Sequence, residues 1–365
     1  MSLFSPLKLG PYTLSHRVVM APLTRMRASE TERAPENLNA EYYGQRASKG
    51  GFIIAEASQV MASGRGMPRT PGIHTRAQVA GWKKVTDAVH AKGGIIFLQL
   101  WHVGRISHSS HQPDGGKPTA PSAVQPTGQA FTSTFQREPF EMPRALETSE
   151  IPGIVASYAE AARLANAAGF DGVEIHGANG YLLEQFLQSR TNHRTDAYGG
   201  SIENRARLLL EVAKAVIDVW GPERVGVRLS PFGVANDSGE AEPIPLYTYV
   251  INNLAELKLC YLHFIEPRAS GAGQAEVDHK NVPSAAELFR PLWPGTLIAA
   301  GNFRGDSATA AIANGHADAI AFGRLFISNP DLPERIRANL PLTPYDRATF
   351  YSSGPKGYTD YPLHA

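Results

Sequence analysis

Eight short apolar runs constrain what this chain can fold into more than any other feature. In order they are "RVVMAPLTR", "GFIIAEAS", "IIFLQLWH", "DGVEIHG", "RVGVRLSP", "YLHFIEP", "TLIAAGN" and "DAIAFGR", each closing in a polar or glycine-rich turn. Their apolar residues come consecutively rather than alternately, as in parallel strands covered on both faces. Between most of them lie segments of helical period. Val79, Trp82, Val85 and Val89 recur every three or four residues before a stop at Gly93-Gly94. Leu209, Val212, Val216 and Trp220 repeat the pattern before Gly221-Pro222, and Ile154 to Ala168 does so before Gly169. Eight βα units are the number that closes an α/β (β/α)8 TIM barrel. An open doubly wound sheet is the competing class, but it usually needs fewer strands and shows a G-x-G-x-x-G turn. The segment "SGAGQA" comes near that pattern and fails it. The barrel is the expectation.

One interval breaks the rhythm. From Val103 to Thr148 the chain is rich in Pro, Gly, Ser and Thr. It leaves the third strand at its carboxyl end, the face where barrel active sites form, so residues 103–148 are read as a lid between the third strand and the third helix. Phe131, Phe135 and Phe140 favour an ordered cap over a disordered insertion. The whole chain, 1–365, is expected to form a single domain. With 365 residues, 42% hydrophobic, and a net charge of +1, it can bury a large core and has no general electrostatic reason to bind nucleic acid or an anionic membrane. The one cysteine, Cys260, excludes an internal disulfide framework and a cysteine-held iron–sulfur cluster. The amino terminus lacks the apolar core of a signal peptide, and no apolar run is long enough to span a bilayer, so a cytoplasmic location is expected.

A barrel brings the carboxyl ends of its strands to one mouth. That places together Pro22 and Thr24, Glu56 and Ala57, Gln99 with Trp101 and His102, and His176 with Asn179 and Tyr181. Arg228, Glu266, Gly301 with Asn302, and Gly323 with Arg324 complete the set. A hydrolytic metal site needs converging histidines and carboxylates, and His102 and His176 come from different strands without them. A Schiff-base aldolase needs a lysine, and no strand end carries one. What remains is neutral donors and acceptors, a tyrosine and two arginines.

"AAGNF" and "AFGRL" end the last two strands. Glycines there let backbone N–H groups approach an anion, and Arg324 adds a two-pronged contact to phosphate oxygens. Gln99 can donate to and accept from the alternating edge of a pyrimidine ring. Arg228 can offset the negative charge that grows on a flavin when it is reduced, and Thr24 can bond the flavin carbonyl beside the reactive nitrogen. Singly, each residue is as well explained by a tight turn, a cap or a rim salt bridge. Together they describe a flavin cradle.

Over nearly its whole length the chain resembles the old yellow enzyme family of FMN-dependent ene-reductases. The resemblance rests on "MAPLTR", "EASQV", "QLWHVGRISH", "EIHGANGYLLEQFLQSRTNHRTDAYGGSIENRARLLLEV", "AGNF", "FGR" and the tail "FYSSGPKGYTDYP". It is similar above all to the bacterial branch of pentaerythritol tetranitrate, N-ethylmaleimide and morphinone reductases. The resemblance implies one non-covalent FMN, with NADPH or NADH as reductant and activated alkenes as small-molecule substrates. By motif, Pro22, Thr24, Ala57, Gln99 and Arg228 would hold the isoalloxazine. Ala300, Gly301, Asn302, Gly323 and Arg324 would hold the phosphate. His176 and Asn179 would bind the substrate's activating oxygen, Tyr181 would donate the proton, and Trp101 and Tyr351 would line the substrate pocket. Met67 stands where some bacterial relatives carry an aromatic, which changes the expected pocket shape. Either a monomer or a homodimer fits this family. Two other readings stand beside it: a phosphate-binding isomerase or lyase using Tyr181 and His176 as acid and base, and a barrel that keeps the cofactor only as a binding module. A yellow protein that NADPH bleaches excludes the isomerase, and reoxidation by an enone excludes the binding module.

Overall fold

The computed structural model describes residues 1–267 and 282–364. All eight apolar runs become parallel strands: β1 Val18–Met20, β2 Phe52–Gln59, β3 Ile95–Trp101, β4 Gly172–Gly177, β5 Val225–Leu229, β6 Tyr261–Ile265, β7 Thr296–Ala300 and β8 Ala319–Phe322. They pair in chain order, and β8 closes on β1 to give a barrel. The near-complete burial of every strand explains the unbroken apolar runs, since both faces are covered. The segment "SGAGQA" lies outside the described residues.

Two layers of core follow from strand alternation. Outward residues such as Val173, Ile175, Val225 and Val227 pack on the surrounding helices. Among these are α1 Asn37–Arg46, α2 Arg76–His90 and α3 Ile151–Ala167, followed by α4 Leu182–Leu187, α5 Ile202–Trp220 and α6 Pro243–Glu256. Trp82, Val85 and Val89 on α2, and Leu209, Val212 and Val216 on α5, are buried as their spacing predicts. Inward residues Val19, Phe52, Ile54, Phe97, Tyr261 and Ile298 fill the barrel's lower half, each large apolar side chain contributing roughly 1.5–3 kcal/mol. A hairpin, Leu7–Leu9 with Tyr12–Leu14, plugs the amino end with Leu9 and Leu14. Cys260 belongs to this apolar cluster, far from the mouth, as expected of a small buried hydrophobe.

Two strand glycines make the interior fit. A Cβ on Gly172 would stand 2.4 Å from the Phe97 ring, and one on Gly226 would stand 2.2 Å from the Tyr261 ring. Both aromatic rings therefore lie across the barrel only because their neighbours have no side chain.

The 103–148 segment is ordered as a cap. Thr119–Ala120 pairs with Arg144–Ala145, and Gln129–Phe131 forms a hairpin with Arg137–Pro139. Phe140 is buried and Phe131 partly so, with the Arg137 guanidinium 3.5 Å from its ring centroid. Phe135 departs from the expectation: it sits near the hairpin tip at φ +64° and is 42% exposed, so it anchors nothing. Its position between the two hairpin strands turns it away from the cap core.

The loop after β1 fastens the C-terminal tail. Buried Arg25 donates to the carbonyls of Phe350 (3.1 Å) and Gly357 (2.7 Å). Buried Arg27 donates to the carbonyls of Thr349, Gly354 and Lys356, among others. Guanidinium groups suit this task because five N–H donors in a plane can satisfy several carbonyls at once. The tail so held brings Tyr351 to the barrel mouth.

Candidate active site

The strand ends open into a cavity of about 870 Å3, within the size range of cofactor pockets. Pro22, Thr24, Ala57, Met67, Gln99, Trp101, His176 and Asn179 line it, as do Tyr181, Arg228, Ala300, Gly301, Asn302, Gly323, Arg324 and Tyr351. Three strand-end residues take other roles. Glu56 points between β2 and α1, where its carboxylate accepts the Arg25 N–H at 3.1 Å. His102 is buried with Nδ1 accepting from the Gly104 N–H at 3.0 Å. Glu266 reaches the cavity wall, but its carboxylate caps the start of α7 (Ala285–Phe289) through Ser284, Ala285 and Ala286. Alternation along a strand and past its end separates these from the inward residues beside them.

The wall built by β3 to β6 is polar. Gln99, His176 and Arg228 are all buried. Arg228 faces His176 across β4–β5, and its Nε has no hydrogen-bond partner among the described residues. Burial lowers the pKa of this guanidinium, the nearby Glu174 opposes that, and arginine's intrinsic basicity keeps it charged. His176 is held well below its usual pKa by burial first, then by Arg228 and His263, so its imidazole is neutral. Its Nδ1 also lacks a hydrogen-bond partner among the described residues.

Just beyond β4 the chain makes the turn that carries the rest of the polar wall. Asn179 takes a left-handed backbone at φ +58° and Gly180 follows at φ +73°. A side chain on Gly180 would meet the Ala235 carbonyl at 2.5 Å, so only glycine fits there. The Asn179 N–H donates to Ser230 Oγ at 2.9 Å, and its carbonyl accepts from Asn236 Nδ2 at 2.8 Å. Beneath the turn, buried Glu184 accepts from the Gly180 N–H, Ser230 Oγ and Tyr247 OH. Its carboxyl is pushed up to about 7 by burial, which these donors only partly offset. With the backbone pinned on both sides, the Asn179 side chain makes no hydrogen bond to the described residues and faces the cavity it lines.

Tyr181 follows at the start of α4, its ring edge-on to Trp101 (4.9 Å) and to His176 (5.2 Å). Burial, and then Tyr351, raise its pKa above the ordinary phenol value, while Asn236 acts the other way. The phenol keeps its proton at neutral pH.

The opposite wall, from β7, β8 and β1, is made of small residues: Ala300, Ala321 and Ala21. Past β7, Gly301 and Asn302 turn the backbone at φ +131° and +51°. Arg324, after Gly323, lies with Nη2 3.3 Å from Asn302 Oδ1. The cavity runs between the alanine wall and the polar wall, with Arg324 among the residues that line it. Among the described residues, buried Arg228 Nε, His176 Nδ1 and Trp101 Nε1 find no hydrogen-bond partner, as in a site that takes polar ligands. The residues present therefore fit FMN. Among the described residues no cluster of His, Cys, Asp or Glu could hold a metal ion, and no helix is long and apolar enough to cross a membrane.

Such a mouth belongs to the class of barrel oxidoreductases that hold a flat cofactor with an anionic tail. Comparison with known proteins makes the class specific. The chain belongs to the NADH:flavin oxidoreductase / NADH oxidase family, whose sequence model matches residues 2–343. The 12-oxophytodienoate reductase 2 of Arabidopsis thaliana is 46% identical, over 99% of this chain and 95% of its own. Morphinone reductase in complex with tetrahydroNAD superposes with a TM-score of 0.93 at 49% identity, covering 100% of this chain and 98% of the other. The old yellow enzyme homologue from Zymomonas mobilis gives a TM-score of 0.94 at 43% identity, with both chains fully covered. This protein is thus an oxidoreductase of the old yellow enzyme type, with FMN as cofactor and NAD(P)H as reductant.

Glu174, Glu184, Ser230, Asn236 and His263 support the site and were not singled out from the sequence. For Glu174 and His263 a signal existed: each is a polar residue inside a mostly apolar strand, two positions before a residue that lines the mouth. Ser230 and Asn236 lie past β5 without any comparable pattern.

Proposed function

We propose that the protein reduces activated alkenes, namely α,β-unsaturated carbonyls, maleimides and nitro-alkenes, with NAD(P)H as electron source and Tyr181 as proton donor. The observation that carries this reading is that the end of β4 and the turn after it present to one cavity a neutral imidazole, an amide unengaged among the described residues and a protonated phenol.

With FMN held there and reduced by NAD(P)H, the chemistry supplied would be hydride addition to the substrate's β-carbon. Negative charge then grows on the activating oxygen. His176 and Asn179 offer N–H donors to that oxygen, and such donors gain strength as the charge develops, favouring the transition state over the ground state. Because His176 is neutral it donates without giving up its proton. Tyr181 holds a proton at its phenol oxygen and releases it to the α-carbon, since an enolate carbon is basic enough to take it. The fixed Asn179–Gly180 backbone supplies the preorganisation on which the effect depends. Gln99, Arg228, Thr24, Pro22 and Ala57 take the flavin ring, while Ala300, Gly301, Asn302, Gly323 and Arg324 take its phosphate. Trp101, Tyr351 and Met67, with the cap hairpin, shape the space above, and the flexible thioether of Met67 broadens what can enter.

The test separates the two half-reactions. Tyr181→Phe is expected to slow reoxidation of the reduced enzyme by 2-cyclohexenone by roughly 10²–10⁴-fold. Reduction of the flavin by NADPH stays within a few-fold of the wild type. Equal losses in both halves, read by stopped-flow absorbance, would remove Tyr181 from the role of acid.

A further inference from the structure

Directly beneath the polar wall, at mid-height in the barrel, lies an ionised group for which the reaction as described has no use. Glu174 is fully buried. Its carboxylate accepts from Gln99 Nε2 at 2.7 Å, from His263 Nδ1 at 2.8 Å and from the Tyr261 hydroxyl at 3.1 Å. The register puts Glu174 beside Gln99 on β3 and beside Gly226 on β5, and Gly226 in turn beside Tyr261 on β6. The missing side chain at Gly226 is what lets the Tyr261 phenol pass over β5 to the carboxylate.

Apolar side chains fill the rest of this interior, and a buried charge costs several kcal/mol that well-packed hydrophobes would not. The placement of the charge has two consequences for the groups above it. An ionised carboxylate is acceptor-only, so it forces the amide nitrogen of Gln99 downward and leaves the amide oxygen and one N–H for the cavity. Among the described residues it is also the anion that offsets the charge of Arg228, since the other groups around that guanidinium, His176, His263 and Tyr261, are held neutral largely by burial.

We propose that Glu174 is the positioning residue of the cofactor site, fixing which face of the Gln99 amide meets the flavin and, by offsetting Arg228, setting the reduction potential of the bound flavin. This rests on the assignment of Gln99 and Arg228 to the flavin ring. A reduced flavin carries extra negative charge, which Arg228 favours and Glu174 opposes. Removing the Glu174 charge while keeping its shape therefore makes the flavin easier to reduce.

The experiment uses the FMN-loaded enzyme. In Glu174→Gln the flavin midpoint potential, measured against a reference dye, is expected to move to a more positive value, and the flavin absorption bands to shift as the Gln99 amide turns. Tyr261→Phe loosens the same cluster but keeps the charge, and its potential should stay at the wild-type value. An unchanged potential in Glu174→Gln, or an equal rise in Tyr261→Phe, overturns the proposal. If Glu174→Gln yields no folded protein, the reduced-minus-oxidised infrared spectrum of the wild type decides. A carboxylate band that responds to flavin reduction and moves in Tyr261→Phe supports the proposal, and its absence overturns it. Gln99→Met isolates the underlying assignment: unaltered FMN affinity and spectrum in that variant mean that Gln99 does not meet the ring, whatever Glu174 does.

Discussion

The two sides of the barrel mouth are built on opposite principles. Strands β3 to β6 contribute side chains: Gln99, Trp101, His176 and Arg228, with Glu174 and His263 below. Strands β7, β8 and β1 contribute their absence: Ala300, Ala321 and Ala21, then backbone turned outward at Gly301 and Asn302. One side supplies chemistry and the other supplies room, and a flat cofactor needs both. The polar side also requires a deep support of buried acids and hydroxyls, because each unpaired polar group there would cost about 1–3 kcal/mol.

The sharpest way to break this comparison is to strip the polar side. His176→Ala is expected to lower alkene reduction by roughly 10²–10³-fold, the usual loss of one oxyanion donor, while FMN stays bound. Steady-state rates beside flavin content check it, and a rate within a few-fold of the wild type contradicts the assigned role.

The support beneath the turn comes next. Glu184 has a folded pKa of about 7 against an ordinary 4.5, so the folded chain holds a proton that the unfolded chain releases above pH 4.5. Its contribution to stability is full below that pH, declines as pH rises toward 7, and is constant beyond. For a shift of this size the wild type loses up to about 3 kcal/mol between pH 4.5 and 8. Glu184→Gln, which does not titrate, keeps that part of its stability. Urea unfolding of both proteins at several pH values measures the difference, and parallel pH profiles count against a protonated Glu184.

The small-residue side gives the mildest expected effect. Ala300→Leu places extra methyl groups in the space assigned to FMN, and overpacking of about 1–3 kcal/mol weakens FMN binding by roughly 5- to 150-fold. Flavin fluorescence titration of the apoprotein reads this directly. Unchanged affinity means that the alanine wall is not what makes room for the ring.

The same contrast explains how much could be read from the sequence. Parallel strands covered on both faces leave continuous apolar runs, so the barrel and the order of its strands were legible. Strand ends converge, so the residues at the mouth could be named before any coordinates. Legibility failed where a residue acts through another. Glu174 and His263 sit inside strands, each between two apolar residues, and the groups they bond lie on other strands. Arg25 and Arg27 immediately follow Thr24, yet they serve carbonyls more than 320 positions away, a separation no local pattern encodes. Phe135 was misread because an aromatic spacing does not reveal which residue falls at a hairpin tip.

The strap formed by Arg25 and Arg27 bears on how the enzyme is made. Tyr351 rides on a stretch, Thr349–Tyr358, that leaves the ribosome after every strand of the barrel. The tail carbonyls that two buried guanidinium groups hold therefore arrive only after the whole barrel sequence, and so does the pocket wall that Tyr351 supplies. A chain that stops before Thr349 forfeits both at once: the cavity wall that Tyr351 supplies and the tail carbonyls that Arg25 and Arg27 hold.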